Sequence, residues 1–194
     1  MTELPYVVGV DLSLTATGLA DSTARCGRVG QSGVTALPLD KRFYAIQQVA
    51  SGIYQWIAQP RPDLVVIEGI EAHGAGNGGL SERTFLWWWL VSVYLTNGVP
   101  VLDVNPNKLK MYTTGRGNAT KPDMVAAVAG WQRWPVGKDN NKADAAALCA
   151  IGLHLLGHPV ECDRTEKQLK ALDGLSIVVP DLAEEAEEVA HGEA

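Results

Sequence analysis

The chain has 194 residues, 46% of them hydrophobic, with six tryptophans and a formal net charge of −6; this suits one domain with a full core rather than several. No apolar run reaches the length of a bilayer-spanning helix, and the opening MTELPYVV lacks the basic and long apolar regions of a signal peptide, so a membrane protein is set aside and a soluble, cytoplasmic one is expected. Cys26, Cys149 and Cys162 are odd in number, widely spaced and without a CxxC or Cys/His pattern, which argues against a zinc site or disulfide framework and for reduced, structural thiols.

The first stretch to read closely is Val7 to Gly18, VVGVDLSLTATG. It predicts a buried strand that ends in Asp11, followed by a tight turn of small and hydroxylated residues. A buried carboxylate is costly unless it is paired or holds a cation. By itself, Asp11 could equally cap the turn through the backbone NH groups of Ser13 or Leu14. Strands are predicted over Tyr6–Asp11, Thr15–Asp21 and Arg28–Ala36, joined by short turns into an antiparallel meander. From Asp40 to Ile57 the spacing of Phe43, Ile46, Val49, Ile53, Trp56 and Ile57 predicts a helix with one apolar face, stopped by Gln59-Pro60-Arg61-Pro62.

Asp63 to Glu68, DLVVIE, has the continuous β-branched run of a buried central strand, and it too ends in a carboxylate. A loop with five glycines follows between Gly69 and Ser81, without the GK[ST] of a P-loop. Ser81 is expected to cap a helix from Glu82 to Leu95. Trp87, Trp88 and Trp89 cannot all face one sheet, because successive helical residues turn by about 100°; the outward ring is expected at a subunit interface, the alternative being a helix covered by the chain's own C-terminal segment.

Val99–Val104 predicts a further strand and Asn105–Tyr112 a helical turn. The segment Thr113–Pro122, TTGRGNATKP, is basic and poor in apolar residues, as a contact to a phosphate backbone requires. Thr120 and Pro122 open a helix to about Trp131. Asn141 is the expected N-cap of an alanine-rich helix to Leu156 that carries Asp144 in its first turn, where the acid would either serve the helix dipole or meet Asp11 and Glu68.

Charge divides along the chain. Ten of the 22 acids lie from Glu161 onward, against Arg164, Lys167 and Lys170. Residues 1–160 are therefore expected to form the domain and residues 161–194 an acidic extension, disordered in part. Between Lys108 and Lys142, seven lysines and arginines face only Asp123 and Asp139, a local basic region suited to nucleic acid or to an ordinary solvated face.

Two strand-end carboxylates followed by one or two at the start of a late helix suit phosphodiester hydrolysis by a pair of hard divalent cations. In VGVDLSLTATGLA, LVVIEG, TTGRGNATK and DNNKADAAALCAIG, in this order over Val7–Leu156, the chain resembles the RuvC-type Holliday junction resolvases of the RNase H-like superfamily, particularly phage-borne members. The resemblance implies an α/β fold with a mixed central sheet, its first three strands antiparallel and the rest parallel, flanked by helices. It further implies a homodimer, two Mg2+ or Mn2+ ions per site, and paired incisions in branched DNA.

Carried over by position, Asp11, Glu68 and Asp144 become metal ligands and catalytic acids. Asp139 is the choice for the fourth, with the Asn141 amide as its rival. Lys108, Lys110, Arg116 and Lys121 are expected to grip phosphates, with Lys138 and Lys142 beside them, and Trp87 to Trp89 to supply the dimer interface. The loop after the strand glutamate often carries a base-stacking aromatic in this family. Here it offers only Ile70 and His73, which implies a broader range of branched substrates, forks and flaps included. A sugar kinase or actin-like ATPase would need a second domain that this length does not provide. An inert branched-DNA binder would have no use for acids facing DNA.

Overall fold

The structure is a computed structural model that describes residues 3–58, 60–70, 79–160 and 164–180. Strands β1 (Val7–Asp11), β2 (Thr17–Asp21) and β3 (Cys26–Val29) run antiparallel, because connections this short can only make hairpins. Helix α1 (Leu39–Ile57) carries the chain back to β4 (Leu64–Glu68), and α2 (Leu80–Thr96) to β5 (Val101–Val104). Crossovers of that length return strands in parallel, and the five-stranded sheet has the order β3-β2-β1-β4-β5. This is the mixed sheet expected from the sequence.

Strand alternation then assigns each side chain a face. Val8, Val10, Val65, Ile67 and Val101 pack with α1 and α2. Val7, Leu64, Val66, Leu102 and Val104 pack with α3 (Pro106–Thr114), α4 (Lys121–Gly130) and α5 (Asn140–Leu155). Asp11 and Glu68 continue the second series and so project toward α5. That helix lies unusually close to the sheet: a Cβ on Gly9 would stand 2.0 Å from the Ala145 carbonyl oxygen, and one on Gly18 1.9 Å from that of Asn141. Buried alanines at 143, 145, 146, 147 and 150 complete the contact from the helix side.

Several boundaries differ from expectation. The third strand stops at Val29, and Gly33, at φ 73°, leads into a 3-10 turn over Val34–Ala36 instead of further strand. Gly79 caps α2, leaving Ser81 inside the first turn with its hydroxyl on Glu82 at 2.8 Å. The turn after β5 is a full helix, α3, capped by the Asn105 side chain with Pro106 in its first turn. Asp139 rather than Asn141 caps α5.

Residues 164–180 fold onto the domain, so it does not end at 160. The Arg164 guanidinium donates to the carbonyls of Tyr112 (3.2 Å) and Thr113 (3.3 Å) and lies over the rings of Tyr112 and Trp131. Gln168 adds a bond to the Tyr112 carbonyl at 3.1 Å. These side chains satisfy the open carbonyls at the end of α3. Beyond the short helix α6 (Glu166–Leu169), Val178 pairs with Val101 and covers part of the sheet edge. Cys149 is buried and unbridged, as is the half-buried Cys26. His73, Cys162 and the acidic residues 181–194 lie outside the described residues. Among the described residues no helix is long and apolar enough to cross a membrane.

Candidate active site

Three acids meet at one end of the sheet. Asp11 ends β1 and Glu68 ends β4, and the parallel register, which pairs Val10 with Ile67, makes the two carboxyls neighbours on the face covered by α5. Asp144 approaches from α5, one turn in from the helix start. It is neither a cap nor a first-turn residue, and the structural alternative for it falls away. Asp11 keeps part of its surface open, but protein crowds its carboxyl, which hydrogen-bonds with Glu68.

Burial first, then the charges of Glu68 and Asp144, holds the Asp11 carboxyl well above the usual carboxylate range, while Lys121 opposes the shift. Asp144 is pushed up to about 7 by burial and by Glu68, against Lys121 and Lys110. Its Oδ1 is buried without a hydrogen-bond partner. An orphaned carboxylate oxygen beside two crowded acids matches the donor set of a hard divalent cation, which would relieve both the desolvation and the repulsion. Among the described residues no three His, Cys, Asp or Glu side chains already stand in ligand geometry around one point. The site is a cluster of neighbouring acids rather than a preformed chelate.

This clustering has a measurable consequence. A carboxyl with a raised pKa in the folded state holds its proton there more tightly than in the unfolded chain, so acid favours folding and stability is lost as pH rises through the folded value. With Asp144 at about 7, raising the pH from 5.5 to 8 in EDTA is expected to cost about 2 kcal/mol, or roughly 4–8 °C in thermal midpoint. Asp144→Asn should flatten that slope, and Mg2+ or Mn2+ should raise the wild-type midpoint most at pH 8. Thermal unfolding at both pH values checks it.

The structure does not bring Asp139 to this cluster. Its Oδ1 accepts from the Asn141 and Lys142 NH groups at 3.1 and 3.4 Å, and its Oδ2 pairs with Arg28 at 3.3 Å. Asn141 is engaged elsewhere too: its amide donates to the Ala16 carbonyl at 2.6 Å and accepts from Asn140. That bond ties the start of α5 to the β1–β2 turn.

The basic residues also divide. Lys121, in the first turn of α4, and Lys110, on α3, act on the acids directly. Lys121 and Lys138 line a groove of about 390 Å³ with Val125 and Asn140. Lys142 lies toward Cys26. Arg116 pairs with Asp123 at 3.1 Å, and the Lys108 ammonium donates to the Asp173 carbonyl, so both are already engaged within the chain.

Of the three tryptophans, Trp88 alone is exposed, at 61%, with Phe85 at 50% one turn earlier. Trp87 and Trp89 pack against the core beneath α1 and α2. The Trp87 indole donates to the Glu68 carbonyl at 3.1 Å. It thereby fixes the strand end that carries the glutamate, a positioning role that the sequence alone did not reveal.

No family model matches the chain. It is 30% identical over 161 residues to the crossover junction endodeoxyribonuclease RuvC of Streptomyces coelicolor, covering 75% of this chain and 80% of that one. The enzyme of the same name from Streptomyces avermitilis is 30% identical over 160 residues, 75% of this chain and 86% of its own. Among solved structures, Thermus thermophilus RuvC superposes with a TM-score of 0.60 at 18% identity, over 79% of this chain and 97% of that one. The complex of T. thermophilus RuvC with a Holliday junction substrate gives 0.57 at 22% identity, over 75% and 90%. At these identities the structural likeness is one of fold.

Proposed function

Because the chain belongs to the RuvC family of crossover junction endodeoxyribonucleases, we propose that it resolves Holliday junctions by divalent-metal-dependent hydrolysis of phosphodiesters. The observation that carries this reading is the meeting of Asp11, Glu68 and Asp144 at one sheet end, with Asp144 Oδ1 buried and unpartnered. These three acids would hold Mg2+ or Mn2+, two ions per site, which when bound supply a Lewis acid for the phosphoryl oxygen and an acidified water.

The chain's own residues do the rest. Strands β1 and β4 and the closely packed α5 keep the acids in register, and Trp87 anchors the Glu68 backbone. Lys121 and Lys110 offset the acids' charge and leave room for a phosphate that bare carboxylates would repel. Lys138 extends this positive lining along the α4–α5 groove. Asp139 is left as the helix cap.

A four-way junction presents two equivalent strands, so paired incision calls for two copies of the site. We assign the dimer contact to the outward face of α2, around Trp88 and Phe85, where exposed aromatic area is concentrated. Trp88→Glu should convert the protein in solution from twice 20.8 kDa to the monomer and replace paired cuts by single nicks. An unchanged mass would remove this interface.

The substrate range is tested with labelled four-way junction, fork, flap and linear duplex. Cutting of the junction, with forks and flaps also cleaved and duplex spared, supports a resolvase of broad branch specificity. Equal cutting of duplex would point to a nuclease without structure selection. Binding without any cleavage would support the inert junction binder instead.

A further inference from the structure

Lys110, Lys121 and Lys138 all lie on the α3–α5 side of the sheet. On the opposite side, a cavity of about 220 Å³ opens between the turn after β1, the 3-10 turn and the first turn of α2. That is several times the ~30 Å³ a water occupies in the liquid, so it has room for a larger group. Among the described residues its lining includes Ser13, Thr15, Thr35 and Arg83, with no acid and no aromatic residue. A stacked base would want an aromatic platform; an anion wants what is there.

Arg83 is the unusual member. Among the described residues it makes no ion pair and no side-chain hydrogen bond. No acid stands three or four residues away on α2. Its neighbour Glu82 is already held by Arg42 at 3.0 Å and by the Ser81 hydroxyl at 2.8 Å. The Ser13 and Thr15 hydroxyls lie 3.2 Å apart and share one hydrogen bond, which leaves one of their two protons for an outside acceptor.

The cavity also lies near the strand end that carries Asp11: Ser13, in its lining, is two residues beyond that acid. Lys110 and Lys121 flank the acids from the other face. We propose that this cavity seats a backbone phosphate of the bound DNA, with Arg83 as its cation and the Ser13–Thr15 pair as neutral donors. The strand would then be gripped from both faces of the sheet, across the end where the acids stand. The proposal rests on the resolvase reading and adds to it a phosphate seat outside the basic region visible in the sequence.

The test is equilibrium binding of the full-length protein to a four-way junction in EDTA, over a series of salt concentrations. Arg83→Gln should weaken binding about 3–10-fold at low salt and make the slope of log K against log salt shallower by about 0.9 for each phosphate that is no longer neutralised. Arg83→Lys should keep the wild-type slope. Thr15→Val, which changes no charge, should weaken binding roughly 2–5-fold, an effect that loss of general surface charge would not produce. Arg61→Gln removes an equal charge from a guanidinium already given to the Gly98 carbonyl at 2.8 Å, and should change nothing. Wild-type affinity and slope in Arg83→Gln would overturn the proposal; if that variant does not fold, Thr15→Val decides by the same criterion. A wild-type protein that prefers no junction over duplex would instead overturn the resolvase reading, and this proposal with it.

Discussion

Asp11→Asn will abolish junction cleavage, lowering the single-turnover rate at least 10³-fold, while junction binding persists and the metal-free protein becomes more stable at pH 8. Asparagine keeps the volume of the side chain and removes its charge. Charge stabilisation by metal is worth several kcal/mol in a phosphoryl-transfer transition state, and each 1.36 kcal/mol is tenfold in rate. The same carboxyl is crowded by burial, by Glu68 and by Asp144, so removing its charge relieves repulsion wherever all three acids would ionise. One fewer negative group facing DNA cannot weaken binding. A rate loss together with a gain in stability separates a functional acid from a structural one, because a turn-capping aspartate would lose both. Single-turnover cleavage, gel-shift binding and thermal unfolding in EDTA provide the three readouts.

Gly9→Ala will be among the most damaging small substitutions in the core. In most strands alanine for glycine helps by roughly 0.5–1 kcal/mol through chain entropy. Here the new methyl would sit 2.0 Å from the Ala145 oxygen and 2.5 Å from the Cys149 nitrogen, both backbone atoms of α5. Relief requires lifting the whole helix, at a cost of about 3 kcal/mol or more. The lift also withdraws Asp144 from Asp11, and a misplacement of about 1 Å can cost 10²-fold in rate. Gly130→Ala, at the end of α4 with nothing within 4 Å of the added carbon, should leave activity unchanged and gain up to about 1 kcal/mol. Chemical denaturation and cleavage rates of the two variants make the comparison.

What the sequence made legible follows from where the signals were local. Asp11 and Glu68 stand out because each closes a short apolar run, and the parallel register of β1 with β4, which only the structure supplies, puts both on one face. The alanine-rich run around Asp144 already implied a helix pressed against a sheet. The start of that helix was not local: Asp139 and Asn141 are both good caps two residues apart, and the choice was made by the bond from the Asn141 amide to Ala16, 125 positions away. The tryptophan triplet shows the same limit. Helical rotation requires one ring to point outward, but Trp88 was singled out only by the direction in which α2 meets the sheet. Arg164, which closes the end of α3 from 51 and 52 positions away, carried no local mark beyond its charge. Nor did Arg83, which lies outside the basic stretch.

The most direct test of the three-acid centre is strand-resolved cleavage of a labelled four-way junction by wild type, Asp144→Asn and Asp139→Asn, in EDTA and in Mg2+ or Mn2+. Paired symmetric nicks by wild type and Asp139→Asn with metal, and none by Asp144→Asn or in EDTA although all bind the junction, is the predicted result. Cleavage by Asp144→Asn at the wild-type rate would contradict it.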